Sequence, residues 1–480
     1  MTRRSIVIVG GGISGLAAAW ELTGGATGPG ANPPRIEVIE AHAQLGGALG
    51  TMEFAGRTVD CGADGFLARR PEMVTLVKEL GWGDKLEAIG ASGASLFLKG
   101  RFVPLPQGLI LGVPTSAQSI RRLAGLSWRA KAAAYRDQWF PRRFTIGDDV
   151  SIGAITRAKL GEEMTYKFIE PMIGGIQAGR VDHLSATSVF PALIAAARRG
   201  GSLMKAIAPS SGSMPGPPTF VPTEGPVFFT ITGGVGSLID ELRRQLEERG
   251  VVIRTDVPVT AIRKTPTGDY PFEVDTPVST TPASGVIITT PPRVTAGLTR
   301  GWKDDLHVLE QVDSAGAVMV TFSIPRGSAT LPASGTGVLV PLHTPWTGPD
   351  SLMTTALTFL DRKWPSLARN DDHLVRVHLG RSDDTRCSHL GDDELVTRVR
   401  AELAFICGSW PPTGEVRVVR WPDALPQYRV GHDELVTKVR SSLPEGIALA
   451  GLAYDGVGVP ASVGSGRRAA AALMETWTSS

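Results

Sequence analysis

The sequence predicts an α/β fold made of a discontinuous Rossmann-like domain, a second domain built on a mixed sheet, and a helical insertion. Three stretches carry this prediction. Residues 5–22 have the pattern of a buried strand, a glycine loop and an apolar helix; residues 228–264 repeat a strand, a glycine turn and a helix; and residues 451–474 place a glycine-rich turn before an alanine-rich helix. Pieces of one domain at the start, middle and end of the chain require other domains between them.

The composition indicates a soluble protein of two or three domains. The chain has 480 residues, 42% hydrophobic and 20% charged, and its net charge of +2 gives no indication of nucleic-acid binding. Cys61, Cys387 and Cys407 are widely spaced, with no CxxC pair and no histidine cluster nearby, which argues against a disulfide framework and a metal site. A strand begins within five residues and no apolar run reaches about 18 residues. The expected location is the cytoplasm, without a transmembrane segment and with peripheral membrane contact left open.

The first glycine loop follows the strand "SIVIVG", an apolar run without alternation that is typical of a strand buried on both faces. Gly10, Gly12 and Gly15 then have GxGxxG spacing before an apolar helix. In this motif the first glycine permits a tight turn, the second lets a pyrophosphate approach the backbone, and the third lets helix and strand pack closely. The free N–H groups at the helix N-terminus favour a phosphate.

A second buried strand, "RIEVIEA", ends near Glu40, whose carboxylate can accept hydrogen bonds from ribose hydroxyls. Glu40 follows Gly15 by 25 residues, and the breaker-rich loop over residues 23–35 accounts for the length beyond the usual spacing of about 20. An acidic residue here argues against an NADP 2′-phosphate. The first two strands therefore predict a dinucleotide without that phosphate.

The residues after Glu40 favour FAD over NAD. Gly46 and Gly47 provide a second close backbone approach, and Asp60 and Gly62 follow the next strand. This order of acid, Gly-Gly, strand and D-x-G resembles the flavoprotein family that includes monoamine oxidase, phytoene desaturase and protoporphyrinogen oxidase. The resemblance implies an FAD-binding domain.

The chain departs from that family at Ala48, where an arginine or lysine is usual, so a phosphate or ribose contact is expected from elsewhere. The resemblance also implies non-covalent FAD. Flavin amine oxidases commonly tether the flavin through a cysteine near the C-terminal motif, whereas the last cysteine here, Cys407, lies well before "YDGVGVP".

The middle piece supplies the remaining strands of the nucleotide domain. Leu238, Leu242 and Leu246 mark an amphipathic helix, and "GVIITTPP" is a last buried strand. The resemblance places Val259 over the adenine through its backbone.

The third glycine stretch is predicted to bind the end of the cofactor that lies far from the pyrophosphate. A helix is predicted to begin near Val459, with Pro460 in its first turn. FAD is long, and the flavin ring needs an anchor more than about 10 Å from its pyrophosphate. The positive end of this helix can point at N1 and O2 of the isoalloxazine, where negative charge accumulates on reduction. The two glycine loops therefore serve two ends of one cofactor.

These patterns, together with the resemblance, give the predicted boundaries and cofactor residues. The predicted domains are 1–90 (first FAD-binding segment), 91–224 (substrate pocket and helical insertion), 225–293 (second FAD-binding segment), 294–414 (substrate-binding sheet) and 415–480 (third FAD-binding segment). The predicted cofactor-binding residues are Gly10, Gly11, Gly12, Ile13, Ser14, Gly15, Glu40, Ala41, Gly47, Ala48, Gly62, Ala63, Asp64, Gly65, Val259, Trp421, Val457, Gly458 and Val459.

The segments between these pieces resemble protoporphyrinogen and coproporphyrinogen oxidases. The strings "EPMIGGIQAGRVDHLSATSVFP", "GRFVPLPQGLILGVPTS", "GTGVLVP" and "RWPDALPQYRVGHDELV" match that family, nearest to its Gram-positive branch. The resemblance implies a pocket at Gly175, Ile176 and Leu339. Without it, Gly175 is equally a helix break, and Ile176 and Leu339 core residues.

Two further side chains are candidates. The resemblance places Trp421 beside FAD, although it is equally an ordinary core aromatic. His378 stands where other members carry methionine or tyrosine near the flavin and is a candidate catalytic residue beside Gly175, although a histidine in a strand is more often structural.

The activity implied is FAD-dependent, six-electron oxidation of coproporphyrinogen III to coproporphyrin III in heme biosynthesis. Bridge carbons give up hydride in three cycles, and O2 is reduced to H2O2. Ser95 stands where eukaryotic members carry a basic residue, so protoporphyrinogen IX stays an alternative substrate. A flavin amine oxidase and a non-catalytic binding protein on the same scaffold, such as a Rab GDP-dissociation inhibitor, are rival functions. The oligomeric state stays open.

Two more segments stand out by composition. Residues 121–143 hold seven arginines or lysines against one aspartate, which suits a solvated helical face, a partner or membrane surface, or steering of an anionic substrate. Residues 208–226 are a loop by composition.

Overall fold

The structure, a computed structural model, describes residues 4–28, 30, 33–141, 147–208, 225–265, 270–302, 306–412 and 414–478. The loop predicted over 208–226 lies almost wholly outside these residues. The strands are β1 (Ser5–Val9), β2 (Arg35–Ile39), β3 (Thr51–Phe54), β4 (Arg57–Asp60), β5 (Phe66–Leu67), β6 (Leu86–Ala88), β7 (Ser95–Leu98), β8 (Arg101–Pro104), β9 (Leu109–Ile110), β10 (Val113–Pro114), β11 (Phe228–Ile231), β12 (Val252–Arg254), β13 (Ala261–Lys264), β14 (Phe272–Asp275), β15 (Thr280–Ala283), β16 (Gly285–Ile288), β17 (Ser314–Pro325), β18 (Gly337–Leu339), β19 (Thr354–Phe359), β20 (Asp372–Leu379), β21 (Val416–Pro426) and β22 (Ile447–Leu449).

The helices lie between these strands and in two clusters, one in the helical insertion and one on the faces of the sheets. They are α1 (Ile13–Leu22), α2 (Pro71–Glu79), α3 (Ala117–Arg122), α4 (Trp128–Trp139), α5 (Ile152–Leu160), α6 (Glu162–Met164), α7 (Glu170–Gln177), α8 (Ala186–Val189), α9 (Pro191–Arg199), α10 (Leu203–Ile207), α11 (Ser237–Glu248), α12 (Pro292–Leu298), α13 (Leu360–Lys363), α14 (Arg386–His389), α15 (Asp392–Ile406), α16 (His432–Ser441), α17 (Leu452–Asp455) and α18 (Val459–Thr478).

A five-stranded parallel sheet in the order β12-β2-β1-β16-β22 forms the core of the first domain. In chain order this is 3-2-1-4-5, the arrangement of a Rossmann domain. Its strands come from the beginning, the middle and the end of the chain, which confirms the predicted α/β class and the discontinuous domain. The central strand β1 is buried along its whole length because helices cover one face and a three-stranded meander the other.

The predicted elements of this core occur as expected. Leu238, Leu242 and Leu246 are buried on α11, and α18 begins at Val459. Helix α18 packs along α1, and at the contact a Cβ on Gly466 would overlap the carbonyl oxygen of Ser14. The first and the last glycine loops are therefore brought to the same side of the sheet.

A seven-stranded mixed sheet in the order β21-β17-β20-β19-β18-β7-β8 forms the second layer. Helix α15 covers one of its faces through a core that includes Val320, Val377 and Leu357. Strand β21 belongs to this sheet although residues 415–480 were predicted as the last nucleotide-binding piece, and β7 and β8 join it from within the predicted insertion 91–224. The second sheet thus also draws on separated pieces, and the five predicted domain boundaries stay a prediction.

The helical insertion packs helices α3 to α10 around a core of its own. The basic stretch predicted over 121–143 forms the end of α3 and helix α4, as far as the structure describes it. Helix α4 buries Ala130, Ala134 and Asp137 and exposes Trp128 and Trp139 on the opposite face. Within the described ranges we find no helix that is both long enough and apolar enough to cross a membrane.

Candidate functional site

The first glycine loop leaves an open cradle at the start of α1. Gly10 has a φ of 106°, which a side chain would strain, and a Cβ on Gly15 would overlap the Gly10 carbonyl oxygen. A Cβ on Gly12, by contrast, would have no protein atom within 4 Å. No side chain caps the helix at Gly12, so its first N–H groups face this open space. The cradle suits a pyrophosphate.

The second glycine pair closes one side of the cradle. The Gly46 N–H donates to the Gly11 carbonyl at 2.9 Å, and Gly47, with a φ of 62°, would place a Cβ 3.6 Å from the Gly12 Cα. Ala48 is exposed, and its carbonyl packs directly under Gly62. Four predicted cofactor positions, Gly12, Gly47, Ala48 and Gly62, therefore lie in one continuous surface.

Hydrogen bonds from nearby backbone groups, one of them in the first glycine loop, orient the Glu40 side chain. Its Oε2 accepts the Gly11 N–H at 2.7 Å, while Oε1 accepts from the backbone N–H of His42 at 3.0 Å and lies 2.8 Å from His42 Nδ1. The Glu40 carbonyl accepts from the N–H of Val257 at 2.9 Å, which brings the segment before Val259 beside the carboxylate. The carboxylate is thus fixed at the edge of the cradle, where a ribose would lie.

The segment 60–65 is held against the seven-stranded sheet. Arg376, buried in β20, donates to the carbonyls of Asp60 and Gly62, the latter at 3.3 Å, and Trp421 Nε1 donates to the Cys61 carbonyl at 3.0 Å. Arg376 was not singled out from the sequence, although a single charge inside the apolar strand "LVRVHLG" was the available signal. Trp421 therefore lies beside Gly62, where the resemblance places a cofactor contact.

The Asp64 carboxylate is bound by neighbouring side chains of the protein. It accepts from Lys363 Nζ at 2.9 and 3.1 Å and from Trp364 Nε1 at 3.0 Å. Burial alone would raise the pKa of Asp64, but the charges of Lys363 and Arg376 and these hydrogen bonds hold it well below its usual range. Any contact between Asp64 and a cofactor would therefore come from its backbone. Lys363 gave no signal in the sequence.

The C-terminal loop before α18 is pinned by two stacked rings. The Tyr428 hydroxyl accepts from the Gly456 N–H at 3.0 Å and donates to the Leu452 carbonyl, and His432 Nε2 bonds the Ala453 carbonyl at 2.9 Å. The centroids of the two rings are 4.2 Å apart. Neither residue was singled out from the sequence. They fix the loop that carries the predicted residues Val457 and Gly458.

The two glycine loops are spaced for a long ligand. Val459, the first residue of α18, precedes Gly466 by seven residues, which is about 10 Å of helix. Gly466 packs on Ser14 in the first turn of α1, so about 10 Å of helix α18 lies between Val459 and this contact with α1. The loop is fixed to α18 by Ser465 Oγ, which accepts from the Gly451 N–H at 2.8 Å.

The predicted substrate residues meet between the helical insertion and the second sheet. A Cβ on Gly175 of α7 would lie 3.4 Å from Leu339 Cδ2 of β18, and Ile176 is 42% exposed. A π-helical turn, Thr165–Ile169, precedes α7, and Ala178 ends it in a left-handed conformation with a φ of 48°. Gly175 and Ile176 are exposed and Leu339 is half-buried, so Gly175 and Leu339 meet at an accessible position between α7 and β18.

His378 lies on β20 and bonds Thr358. Its Nε2 is 2.9 Å from Thr358 Oγ1. Burial, with the charges of Arg376 and Lys363, lowers the pKa of His378 to about 4 against the opposing charge of Asp64, so the imidazole is neutral at pH 7.

The remaining predicted cofactor residues differ in their exposure. Ile13 and Ser14 lie in the first turn of α1 and are buried, Ala41 is exposed next to Glu40, and a Cβ on Gly65 would lie 2.5 Å from the Trp364 ring. Ala63 packs at the edge of the core that contains α1 and α18.

These residues fit a flavin dinucleotide. The open space at Gly12, the free helix N-termini and the Glu40 carboxylate supply sites for pyrophosphate and ribose without a basic side chain at Ala48. Cys61, Cys387 and Cys407 carry free thiols, and within the described ranges no cluster of His, Cys, Asp or Glu side chains could hold a metal ion.

Comparison with known proteins gives full-length matches. The sequence profile described as flavin containing amine oxidoreductase matches residues 13–474. A coproporphyrinogen III oxidase of Mycobacterium tuberculosis (strain ATCC 25618 / H37Rv) is 32% identical over 492 residues, covering 99% of this chain and 98% of the relative. The coproporphyrinogen III oxidase of Bacillus subtilis (strain 168) is 29% identical over 472 residues, covering 97% of each chain.

Solved structures agree with the sequence matches. A crystal structure from Exiguobacterium sp. 255-15, provisionally described as a protoporphyrinogen oxidase, has a TM-score of 0.84 and 30% identity, covering 99% of this chain and 100% of its own. The range matched by the profile takes in the start of α1, the C-terminal glycine loop and Gly175. The chain is an oxidoreductase with a flavin cofactor and belongs to the flavin containing amine oxidoreductase family.

Proposed function

We propose that the protein oxidises coproporphyrinogen III to coproporphyrin III, with FAD as its cofactor and O2 as the final electron acceptor. The observation that carries the proposal is the accessible contact between Gly175 and Leu339, where we place the substrate opening. By the strand pairing, Leu339 lies on the same face of the second sheet as the Arg376 side chain that holds residues 60–62. Full-length relatives named coproporphyrinogen III oxidase support this substrate. The reaction belongs to heme biosynthesis.

The chain's own residues would hold FAD at three places. Gly12 and Gly47 would receive the pyrophosphate, Glu40 a ribose, and the N-terminus of α18 near Val459 the pyrimidine edge of the isoalloxazine. The backbone at Val259 would meet the adenine. We propose non-covalent binding because no cysteine lies in the C-terminal loop before α18, where amine oxidases commonly tether the flavin. Cys387 and Cys407 are buried in the core under α15, and Cys61, beside Gly62, is a half-buried free thiol. Bound FAD supplies a two-electron acceptor for hydride.

The protein positions the substrate, excludes water from the site and stabilises the charge that forms during the reaction. The site between α7 and β18 binds the tetrapyrrole, with Leu339 and Ile176 against it and the Gly175 carbonyl accepting from pyrrole N–H groups. The N–H groups at the start of α18 stabilise the negative charge that reduction places on the cofactor. Three passes through this arrangement remove six electrons, and each pass reduces one O2 to H2O2.

The test is porphyrin fluorescence when the purified protein receives coproporphyrinogen III or protoporphyrinogen IX under air. We expect a larger kcat/KM for coproporphyrinogen III and three H2O2 per porphyrin formed. Preference for protoporphyrinogen IX would reassign the substrate. Oxidation of amines but of neither porphyrinogen would make the protein an amine oxidase, and a purified protein without flavin absorbance would favour a binding protein.

We also propose a cytoplasmic protein that touches anionic membranes through α4. Trp128 and Trp139 are 74% and 64% exposed on one face of this helix, and Arg129 and Lys131 lie beside them. Aromatic rings flanked by cations suit the headgroup region of an anionic bilayer. Co-sedimentation with phosphatidylglycerol vesicles, but not with phosphatidylcholine vesicles, is the expected result; loss of binding in Trp139→Ser would localise the contact.

A further inference from the structure

His378 lies in a row of paired residues that crosses the second sheet. Met319 of β17 pairs with His378 of β20, His378 with Ala356 of β19, and Ala356 with Leu339 of β18. Residues paired directly across strands point to the same face of a sheet. The His378 side chain therefore faces the side on which Leu339 meets Gly175.

This row is the partly open strip of that face. Met319, His378, Ala356 and Leu339 are all only half-buried, whereas apolar neighbours on the opposite face, such as Val320, Val377 and Leu357, are fully buried under α15. In the adjacent row, Arg376 and Thr321 are buried because residues 60–62 cover them. The sheet is thus covered by the segment 60–62 on one side of the row and left open along the row itself.

The strip connects the predicted substrate residues with the predicted cofactor residues. Neighbouring strands are about 4.8 Å apart, so His378 lies about 10 Å from Leu339, two strands away. A tetrapyrrole lying on Leu339 and Gly175 spans that distance. Arg376, two residues before His378 on the same face, holds the segment that follows β4 in the nucleotide-binding surface. His378 is therefore placed between the substrate opening and the cofactor surface.

The imidazole presents one free nitrogen. Nε2 bonds the Thr358 hydroxyl at 2.9 Å, and Nδ1 has no hydrogen-bond partner among the residues that the structure describes. With Nε2–H donating to Thr358 Oγ1, Nδ1 is an acceptor. Because the Thr358 hydroxyl can also donate to Nε2, the proton-accepting form of His378 is the tautomer that carries its hydrogen on Nε2.

The charges around the ring keep it unprotonated. Arg376 on its own strand and Lys363 of α13 oppose a positive charge on His378, Asp64 of the segment 60–65 favours one, and burial disfavours it most. Met319 and Ala356, its partners on the neighbouring strands, carry no charge. A neutral imidazole at this position is free to accept a proton.

We infer that His378 is the proton acceptor in each oxidation step, taking the pyrrole N–H proton on Nδ1 as the substrate loses hydride. The inference rests on the proposed function. A C–H bond at a bridge carbon breaks, and the hydrogen leaves with both electrons to the oxidised flavin. A double bond forms between that carbon and the adjoining pyrrole, which makes the pyrrole nitrogen cationic. Its N–H bond then breaks, the electron pair stays on nitrogen, and the proton forms a bond to Nδ1.

The requirement on the base is modest. The N–H of an alkylidene pyrrole cation is acidic, so a weakly basic imidazole is sufficient to remove it. The resulting imidazolium is unstable between Arg376 and Lys363 and releases its proton to water before the next step. The same features that lower the basicity of His378 therefore restore it for each of the three passes.

The experiment follows flavin bleaching by coproporphyrinogen III without oxygen, in the full chain with bound FAD. His378→Gln and His378→Ala should bleach about 100-fold more slowly than the unmodified protein. Their rates should rise with pH, as solvent bases replace the imidazole, whereas the unmodified protein should be flat between about pH 6 and 8. Added imidazole should accelerate His378→Ala at least about tenfold, a rescue that a structural role would not give.

Matched controls separate chemistry from stability and binding. His373→Gln makes the same exchange on the same strand at a histidine that bonds Asp361, and should bleach at the unmodified rate. FAD content and the affinity for the product coproporphyrin III, measured by fluorescence titration, should be unchanged in the His378 variants. Thr358→Val should slow bleaching by a smaller factor than His378→Gln, because the imidazole remains.

Two results would overturn the inference. Unmodified bleaching rates in His378→Gln would exclude a proton-transfer role, and so would slow rates without pH dependence or imidazole rescue. Failure of the proposed function would give a different result. Dithionite would then bleach the flavin of the unmodified protein and air would reoxidise it, but neither porphyrinogen would bleach it, and the proposed role of His378 would be excluded as well.

Discussion

Gly466 of α18 packs directly on Ser14 of α1, so closely that a Cβ at position 466 would overlap the Ser14 carbonyl oxygen. Seven residues of helix separate this contact from Val459, and one turn separates it from the first glycine loop. One glycine in the last helix therefore sets the distance between the two loops that we assign to the two ends of the cofactor.

Gly466→Ala should loosen this contact. The methyl group meets backbone atoms that cannot rotate away, so we expect a loss of about 1–3 kcal/mol in the free energy of unfolding and weaker FAD retention. Gly464→Ala is the matched control in the same helix, because its Cβ would meet the Arg468 and Glu72 side chains, which can move. Thermal unfolding and flavin content after gel filtration measure both. Equal behaviour of the two variants would contradict this account of the helix spacing.

Glu40→Gln should weaken FAD binding. The carboxylate accepts backbone N–H groups on both of its oxygens, at Gly11 and His42, and an amide would turn an N–H donor toward one of them. Hydrogen bonds to charged groups contribute about 1.5–3 kcal/mol, which corresponds to roughly a 10- to 100-fold rise in Kd. Titration of flavin-free protein with FAD measures the change.

The control for Glu40 is His42→Ala. His42 is exposed and contributes only its ring contact, while the backbone N–H of position 42 is kept. Its Kd should stay near the unmodified value. A Kd unchanged in Glu40→Gln would remove the ribose assignment of this carboxylate.

Local sequence predicted the fold of the Rossmann-like half well, for a physical reason. The turn at Gly10, the close contact at Gly15 and the acid at Glu40 are set by neighbours within one βαβ unit, so their spacing in sequence encodes their geometry. The start of α18 at Val459 was predicted on the same basis, from a glycine turn followed by Pro460.

Local sequence patterns could not predict the contacts between residues far apart in the chain. Arg376 reaches Asp60 and Gly62 more than 300 residues away, and Lys363 pairs with Asp64 across a similar separation. Strand β21 joins the second sheet by pairing with β17, which no local pattern specifies. The place of His378 in an open row likewise depends on the register of four strands. The resemblance pointed to the position, and only the strand pairing shows what it faces.

Gly175→Ala should impair catalysis without unfolding the protein. Its methyl group would lie 3.4 Å from Leu339 Cδ2, an ordinary contact, so the fold tolerates it while the opening narrows. Replacing glycine by alanine inside a helix stabilises by up to about 1 kcal/mol. We expect kcat/KM for coproporphyrinogen III to fall at least about tenfold, with unchanged FAD content.

A second substitution tests whether the lost space causes this defect. Leu339→Ala in the Gly175→Ala background removes the side chain that the new methyl group meets, and should recover some of the lost kcat/KM. Recovery in the double variant would support a steric cause. An equally large defect in the double variant would indicate that Gly175 is needed for its backbone flexibility and not for the space that it leaves beside Leu339.

The ion pair of Asp64 predicts how stability depends on pH. Burial opposes the charged form of Asp64, but Lys363 and Arg376 more than compensate, so its pKa in the folded chain lies below the unfolded value of about 4. The folded state therefore binds fewer protons than the unfolded chain in this range, and the stabilisation is present above about pH 4 and lost as the pH falls through it toward the folded pKa.

Asp64→Asn removes this titration and leaves Lys363 without its charged partner. At pH 7 the variant should be less stable by about 3 kcal/mol, the usual cost of breaking a buried ion pair from one side. Its free energy of unfolding should also fall less steeply than that of the unmodified protein between about pH 5 and 3, as measured by urea denaturation at each pH. Parallel curves for the two proteins would mean that Lys363 and Arg376 do not hold Asp64 ionised, and the charge pattern around His378 would then have to be reassigned.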